Sequence, residues 1–459
     1  MLSLPSRRTP VLLLAGSVLV PILIGPLVAR YPLYGIVMVL GIAVLLLAAR
    51  SIVYPVALAG VPSLLVGLNG SNPLPGKAIF ALLTVWLLIG LAFAFMSGAW
   101  PASRVARRVL TAPILLLGGM SVLLIARLGQ GAYPKTKVEL FLAQGLPLLA
   151  AGVMIAFKAR TFKLYLLVVL GVAVSTAAVL ADKISTNQAA QFYPGRFTIS
   201  TNYNPIWSAR EAAIGVLIAV ALILGSRSAR SSLIAFAAMP LLGIALLSSG
   251  SRGPLVALLA ALVVLVALTL QDRRTRSRLL RVSTGVLVAI IAVTLVVPGE
   301  AIHRSSSFLF GSTADLSSNG RTHLWLRALS LFSSHFWTGV GTGGFAKYEP
   351  LYQYPHNIVL EAGAELGVLG ATIMVGFLFL ALRTSFRAWS ASVDREDKVG
   401  AALVAALLIA TVVNALLSDA IESTDALCFT AGLAYGLRAR HVERVAKQAL
   451  APSSPRPTG

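Results

Sequence analysis

Long apolar runs separated by short polar or basic clusters recur along the whole chain. They span 10–28, 32–49, 51–67, 78–97, 109–128, 139–157, 162–181, 211–225, 231–248, 254–270, 280–298, 357–382, 399–417 and 425–437. Most approach the roughly 20 residues a helix needs to cross a bilayer. None alternates apolar with polar as a barrel strand does. The pattern predicts an all-α polytopic membrane protein with about 12–14 transmembrane helices. Two runs, 211–225 and 425–437, are short enough to read as partly re-entrant. The run 10–28 follows Arg7 and Arg8 in the layout of a signal peptide. Its length and the spans behind it make it a retained first helix instead.

Composition closes the other possibilities. Of 459 residues, 57% are hydrophobic and 12% charged. The mean hydropathy is +0.85. Soluble domains carry about twice that charge, so neither a soluble enzyme nor a disordered chain fits. The single cysteine, Cys428, lies inside an apolar run and reads as a small buried hydrophobe. It can form no internal disulfide and no multi-cysteine metal site.

A formal net charge of +22 would point a soluble protein toward nucleic acid. Here topology accounts for it. With a cytoplasmic N-terminus and alternating spans, 25 of the 38 Lys and Arg fall on the cytoplasmic side, including the run from Arg273 to Arg281. The acids run the other way, and the bias is the positive-inside rule. No nucleic-acid partner is needed. Anionic membrane lipids add a reason for the basic face. The chain thus reads as one integral membrane domain, 1–459, ending in a basic cytoplasmic tail, 438–459.

On this topology the outer segments 129–138, 182–210 and 299–356 are the long ones. The last holds an amphipathic run at 322–337 and glycines at 339, 341, 343 and 344. Irregular backbone at a membrane face usually lines a cavity or a site, so candidate chemistry is sought there. Arg252 stands between small residues, ahead of Pro254 at a helix start. A guanidinium beside helix N-terminal amides suits a phosphate or a pyrophosphate. Gly320 permits a tight turn into the amphipathic stretch, with Arg321 at its start. Arg327 lies on another face, which makes Arg321 the better ligand candidate. His356, followed by Asn357 at the opening of a long apolar helix, is a candidate general base. Glu361 and Glu365 come one turn apart on that helix, placed to orient the base or to hold helix-end donors. The remaining histidines are scattered and no Asp-x-Asp occurs. Arginines rather than a metal ion therefore look like the charge-neutralising groups, and no cofactor is called for.

Together these elements resemble the O-antigen ligases and related polysaccharide polymerases. The signature is His356-Asn357, nine residues, then Gly367-Val368-Leu369-Gly370. "SSGSRGP" at 248–254 and "NGRTHLWLRALSLFSSHFWTGVGTGGF" at 319–345 are similar to further family elements. The resemblance implies a membrane glycosyltransferase with a fold akin to the type C class and a large periplasmic loop containing short helices. On that resemblance it would sit in a bacterial inner membrane with its site facing the periplasm. The donor would be a glycan on a polyprenyl diphosphate, and the acceptor a hydroxyl of lipid A-core or of another glycan. Arg252 and Arg321 match the family's pyrophosphate-handling arginines and His356 its catalytic histidine. Arg210, in "NYNPIWSARE", is a weaker match ahead of a helix.

The family leaves ligase and polymerase as alternatives, and the mixed charge of the outer loop leans to the ligase. A transporter would instead show paired repeats with charges near the midplane, and no repeat is evident between the halves. In a Cys428→Ala background, Asp315→Cys should react with an impermeant maleimide in cells whose cytoplasmic membrane is intact. Labelling only after permeabilisation would overturn the topology.

Overall fold

The computed structural model describes residues 84–85, 87–88, 90–92, 95–96, 100–101, 103–193, 195–199, 204–225, 229–270, 273–310 and 316–450. The spans expected at 10–28, 32–49 and 51–67 lie outside these residues, and 78–97 is described only in scattered positions. Every later apolar run is a helix. In chain order they are α1 (Arg104–Ala126), α2 (Ala132–Phe157), α3 (Ala159–Ser185), α4 (Pro205–Gly225), α5 (Ala229–Ser248), α6 (Arg252–Thr269) and α7 (Arg273–Val296). Three helices follow in the long loop: α8 (Gly299–Phe310), α9 (Leu316–Ser334) and α10 (Phe345–Tyr348). The chain returns with α11 (Ile358–Ser390), α12 (Arg395–Leu417), a 3-10 turn (Ile421–Ser423) and α13 (Asp425–Leu450). A two-stranded antiparallel hairpin, β1 (Ala190–Tyr193) and β2 (Arg196–Thr198), joins α3 to α4.

Eight of the described helices, α1–α6, α11 and α12, are long and apolar enough to cross a membrane, and Leu280–Val296 of α7 is a shorter apolar helix. The chain is a multi-pass, all-α membrane protein. Burial sorts the helices. In α12, 78% of the apolar window is enclosed by protein, against 28% in α1. Accordingly α12 is shared between two cores, one built mainly on α3–α6 and the other on α1, α2, α11 and α13. The outward rows of α1, such as Leu115 and Val122, are apolar and exposed, as a lipid-facing surface should be. Glycines 152, 432 and 436 leave no side chain between α2 and α13, which touch backbone to backbone.

The ends of the helices carry the polar work. Ser103 caps α1, its hydroxyl accepting from Ala106 N at 3.1 Å. Arg278 and Arg395 donate to Leu224 O near the C-terminus of α4, where cations offset the helix dipole. Glu396 and Asp397 open α12 and pair with Lys163, Arg440 and Arg444. The start of the expected basic tail is thus the continuation of α13, docked on α12. Residues 451–459 lie outside the described part.

Several boundaries differ from the sequence reading. The runs 211–225 and 425–437 are parts of helices of 21 and 26 residues. Hydropathy marks only their apolar stretches, while their polar turns are helical too. The segment 129–138 is helical from Ala132, and Arg210 lies inside α4 rather than ahead of it. Gly320 and Arg321 lie within α9, not at its start.

The broken element is α11. At Gly367 the backbone takes φ 70°, ψ −161°, a region essentially reserved for glycine. The break separates a short helical arm, 358–366, from the long helix that follows it. The arm's terminal carbonyls would be orphaned, but Val340 N donates to Ala364 O and Gly341 N to Glu365 O, each at 2.9 Å. Val368 N, past the break, donates to Phe336 O at 2.8 Å. Gly370 lets the long helix leave close to the arm, because a methyl there would lie 2.7 Å from Ala362 O. This geometry explains the Gly-x-x-Gly signature. Gly367→Ala should cost about 1–3 kcal/mol for the backbone region alone, with further loss against the Trp337 backbone it would strike. Gly118→Ala, with open space around the new methyl, should be neutral or stabilising. Thermal unfolding in detergent compares them, and equal melting temperatures would refute the account.

Candidate functional site

The helix ends at 126–131, 249–253 and 417–425 gather with the long loop at one end of the bundle. Ser418, just after α12, is their meeting point. His356 Nδ1 lies 3.3 Å from Ser418 O. Arg210 Nη2, from α4, donates to Ser418 Oγ at 2.8 Å and to Asp419 Oδ1 at 2.5 Å. A methyl on Gly253, in the first turn of α6, would lie 3.8 Å from Ser418 Oγ.

His356 is built into its position. Its φ of 57° is left-handed, uncommon for a residue with a side chain. The next residue explains the cost. Asn357 caps the helical arm, its Oδ1 accepting from Val359 N and Leu360 N at 3.1 Å each, so the turn into the cap falls on His356. The ring packs edge-on against Tyr354, centroids 4.5 Å apart. Burial pushes the Tyr354 phenol up to about 12, so it remains protonated. Because Ser418 O can only accept, Nδ1 carries the hydrogen and Nε2 keeps its lone pair. Burial lowers the imidazole pKa, the Ser418 bond raises it, and the nearby charge of Arg321 lowers it again. The net effect is downward, which favours the neutral ring.

The arginines come from three separate elements: Arg210 from α4, Arg252 from the first position of α6 and Arg321 from α9. Arg252 Nε donates to Arg304 O at 3.2 Å. Arg321 makes no hydrogen bond or ion pair among the described residues. Burial lowers its pKa, and then the charges of Arg210 and Arg252 do. Arg321 is therefore within electrostatic reach of both other guanidinium groups. Asp419 pairs with Arg210 and is itself raised to about 6, chiefly by burial. Clustered cations repel, and an anion of more than one charge would relieve that repulsion.

Glu361 and Glu365 do not face His356. Both are wholly buried and bind the ammonium of Lys137 on α2. Each uses its other contacts on backbone: Glu361 Oε2 accepts from Ile421 N and Glu365 Oε2 from Gly343 N, both at 2.9 Å. Of the two roles expected for them, holding backbone donors is the one this geometry displays. Glu422 is also near Lys137, at 3.9 Å, and accepts from Tyr133 OH at 3.0 Å. Arg327 points elsewhere, lying 4.0 Å from Glu349 and stacking over Tyr348. Gly320 sits one residue before Arg321 inside α9.

Four residues of this end escape the sequence reading: Lys137, Tyr354, Ser418 and Asp419. Lys137 and Tyr133 share a helix face at i,i+4, a signal masked by the polar stretch around them. Asp419, Glu422 and Asp425 form an acidic cluster between two apolar runs and were the available clue to the 418–425 turn.

Residues 237–375 match the family model described as O-antigen ligase. The match runs from α5 past the break in α11 and contains Arg252, Arg321, His356, Gly367 and Gly370. It bears out the resemblance to the O-antigen ligase superfamily. No curated protein matches the chain.

Binding of inorganic pyrophosphate by calorimetry tests the anion reading. Arg252→Ala and Arg321→Ala should each weaken it about tenfold or more, the worth of a charged hydrogen bond of roughly 1.5–3 kcal/mol. Arg327→Ala should be milder, and Arg321→Lys should restore only part, lacking the bidentate fork. Unchanged affinity in both alanine variants would remove these arginines from the site.

Proposed function

We propose that this protein transfers a glycan from a polyprenyl diphosphate to an acceptor hydroxyl at the outer face of a bacterial inner membrane, as an O-antigen ligase with lipid A-core as acceptor. The observation that carries the reading is the gathering of His356 with Arg210 at Ser418, and with Arg252 and Arg321 nearby, at the end of an apolar bundle. The polyprenyl tail would stay in lipid beside the helices, with its diphosphate among the arginines. The match to the O-antigen ligase model over 237–375 supports the same class.

The chemistry is a single displacement at the anomeric carbon. His356 Nε2 takes the proton of the acceptor hydroxyl as its oxygen bonds to C1. The bond from C1 to the diphosphate oxygen breaks, and polyprenyl diphosphate leaves with the electron pair. Inversion at C1 follows from attack opposite the leaving group. Negative charge grows on the departing diphosphate, where Arg252, Arg321 and Arg210 stabilise it more strongly than water could. Arg210 first has to share or leave Asp419, and the raised pKa of that carboxyl eases the exchange. Ser418 O holds the histidine tautomer and stabilises the imidazolium as it forms.

In nanodiscs, transfer from an undecaprenyl-diphosphate-linked O-antigen glycan to lipid A-core tests this. A glycan acceptor run in parallel separates ligase from polymerase. His356→Ala should insert normally and lose about 10²–10⁴ in rate, the usual contribution of a general base. His356→Gln should be as slow, since an amide cannot take the proton. The wild-type rate should rise with pH along a limb below about 6.5, the ordinary imidazole value, because the ring's pKa is lowered. Asp419 titrates near 6, so the limb must persist, at lower overall rate, in Asp419→Asn. A folded His356→Gln protein with near wild-type turnover would end the proposal.

A further inference from the structure

Lys137 is wholly buried, and the base mechanism makes no direct use of it. Its ammonium touches carboxylates on both elements that flank His356. Glu361 and Glu365 belong to the short arm 358–366, whose cap is Asn357, and Glu422 belongs to the 3-10 turn. The links continue outward from there. Glu361 Oε2 holds Ile421 N, only three residues past Ser418, whose carbonyl faces His356 Nδ1. Glu361 N also donates to Asn357 O at 2.9 Å. The imidazole is therefore anchored twice to one ion cluster, once through its own chain and once through its hydrogen-bond acceptor.

A buried ion cluster of this kind gives less stability than well-packed apolar residues of the same volume would. What it supplies is fixed distance and direction. We propose that Lys137 is a positioning residue for the transfer reaction: through Glu361 it fixes the arm that begins at His356 and the 418–421 turn that orients the ring. This rests on His356 being the base. A displacement of about 1 Å at a reacting group can cost on the order of a hundredfold in rate, so a loosened anchor should be visible in kcat.

A double-mutant cycle separates positioning from mere stability, because two residues acting through one group are non-additive. The proteins are wild type, Glu361→Gln, His356→Ala and the double variant, with Lys137→Met as a parallel arm. All are assayed in nanodiscs with the undecaprenyl-diphosphate-linked glycan and lipid A-core. Glu361→Gln keeps the shape and the Lys137–Glu365 pair, so it tolerates folding better than Lys137→Met. Each anchor variant should slow kcat about ten- to a hundredfold when His356 is present. Each should change the residual rate less than about twofold when His356 is already alanine. The same loss in both backgrounds would overturn the positioning role while leaving the base reading intact. Failure to recover folded Glu361→Gln would also overturn it, marking the cluster as a folding element. An undiminished His356→Ala enzyme would instead refute the base reading, and this assignment with it.

Discussion

An ammonium ion wholly buried in an apolar bundle is tolerable only where carboxylates lie against it and the oxygens they direct elsewhere find donors. Lys137 meets that condition with Glu361 and Glu365, and the donors are backbone amides of Ile421 and Gly343. Three further chain segments are thereby required to meet at one point on α2. The 3-10 turn after α12, the glycine-rich loop at 339–344 and the arm 358–366 cannot be arranged independently. Satisfying the charges dictates the shape of the site end.

The same economy governs the break at Gly367. A helix interrupted inside a packed bundle leaves carbonyls that need other donors. The glycine-rich loop supplies the missing donors through Val340 and Gly341, and it is itself pinned to α1, where Thr342 N donates to Arg127 O at 2.8 Å and Thr342 Oγ1 to Leu124 O at 2.8 Å. Loop and broken helix complete each other. The described part of the connecting segment adds a small cluster of its own, Leu324, Ala328, Leu331 and Phe345 against Ala364. The same irregular backbone leads into His356, whose left-handed conformation precedes the Asn357 cap, at the end of the bundle where the arginines lie.

What the sequence makes legible follows from which groups announce themselves. Hydrophobicity of about one bilayer width marks every described helix from α1 to α13 apart from those in the long loop, yet misplaces ends wherever polar turns remain helical, as at Ala132 and Pro205. Arg252, Arg321 and His356 stand out because charged or titratable side chains are conspicuous beside apolar runs. Ser418 does not, since what it offers His356 is a backbone carbonyl, which every residue has. Lys137 is hidden for another reason. The stretch Tyr133-Pro134-Lys135-Thr136-Lys137 reads as a polar loop, and only its helical phase shows that Tyr133 and Lys137 face inward together. Glu361 and Glu365 are visible as a pair, but the cation they share, Lys137, sits more than 200 residues upstream, where no local pattern can point.

The division of the chain follows from these contacts. The stretch 237–375 that matches the O-antigen ligase model holds Arg252, Arg321 and His356, the groups best suited to touch a diphosphate and a hydroxyl. Several residues in contact with this end of the bundle lie outside it: Arg210 on α4, the third arginine of the cluster, Lys137 on α2, and Ser418, Asp419 and Ile421 after α12. Reactive side chains are set by the chemistry they must perform, so their spacing leaves a recognisable signature. Supporting residues need only deliver a donor, an acceptor or a charge at a given point, and several residue types on several helices can do that. The recognisable part of this chain is accordingly the stretch that carries the titratable and charged side chains, while the carbonyl beside His356 and the ammonium between Glu361 and Glu365 come from segments outside it.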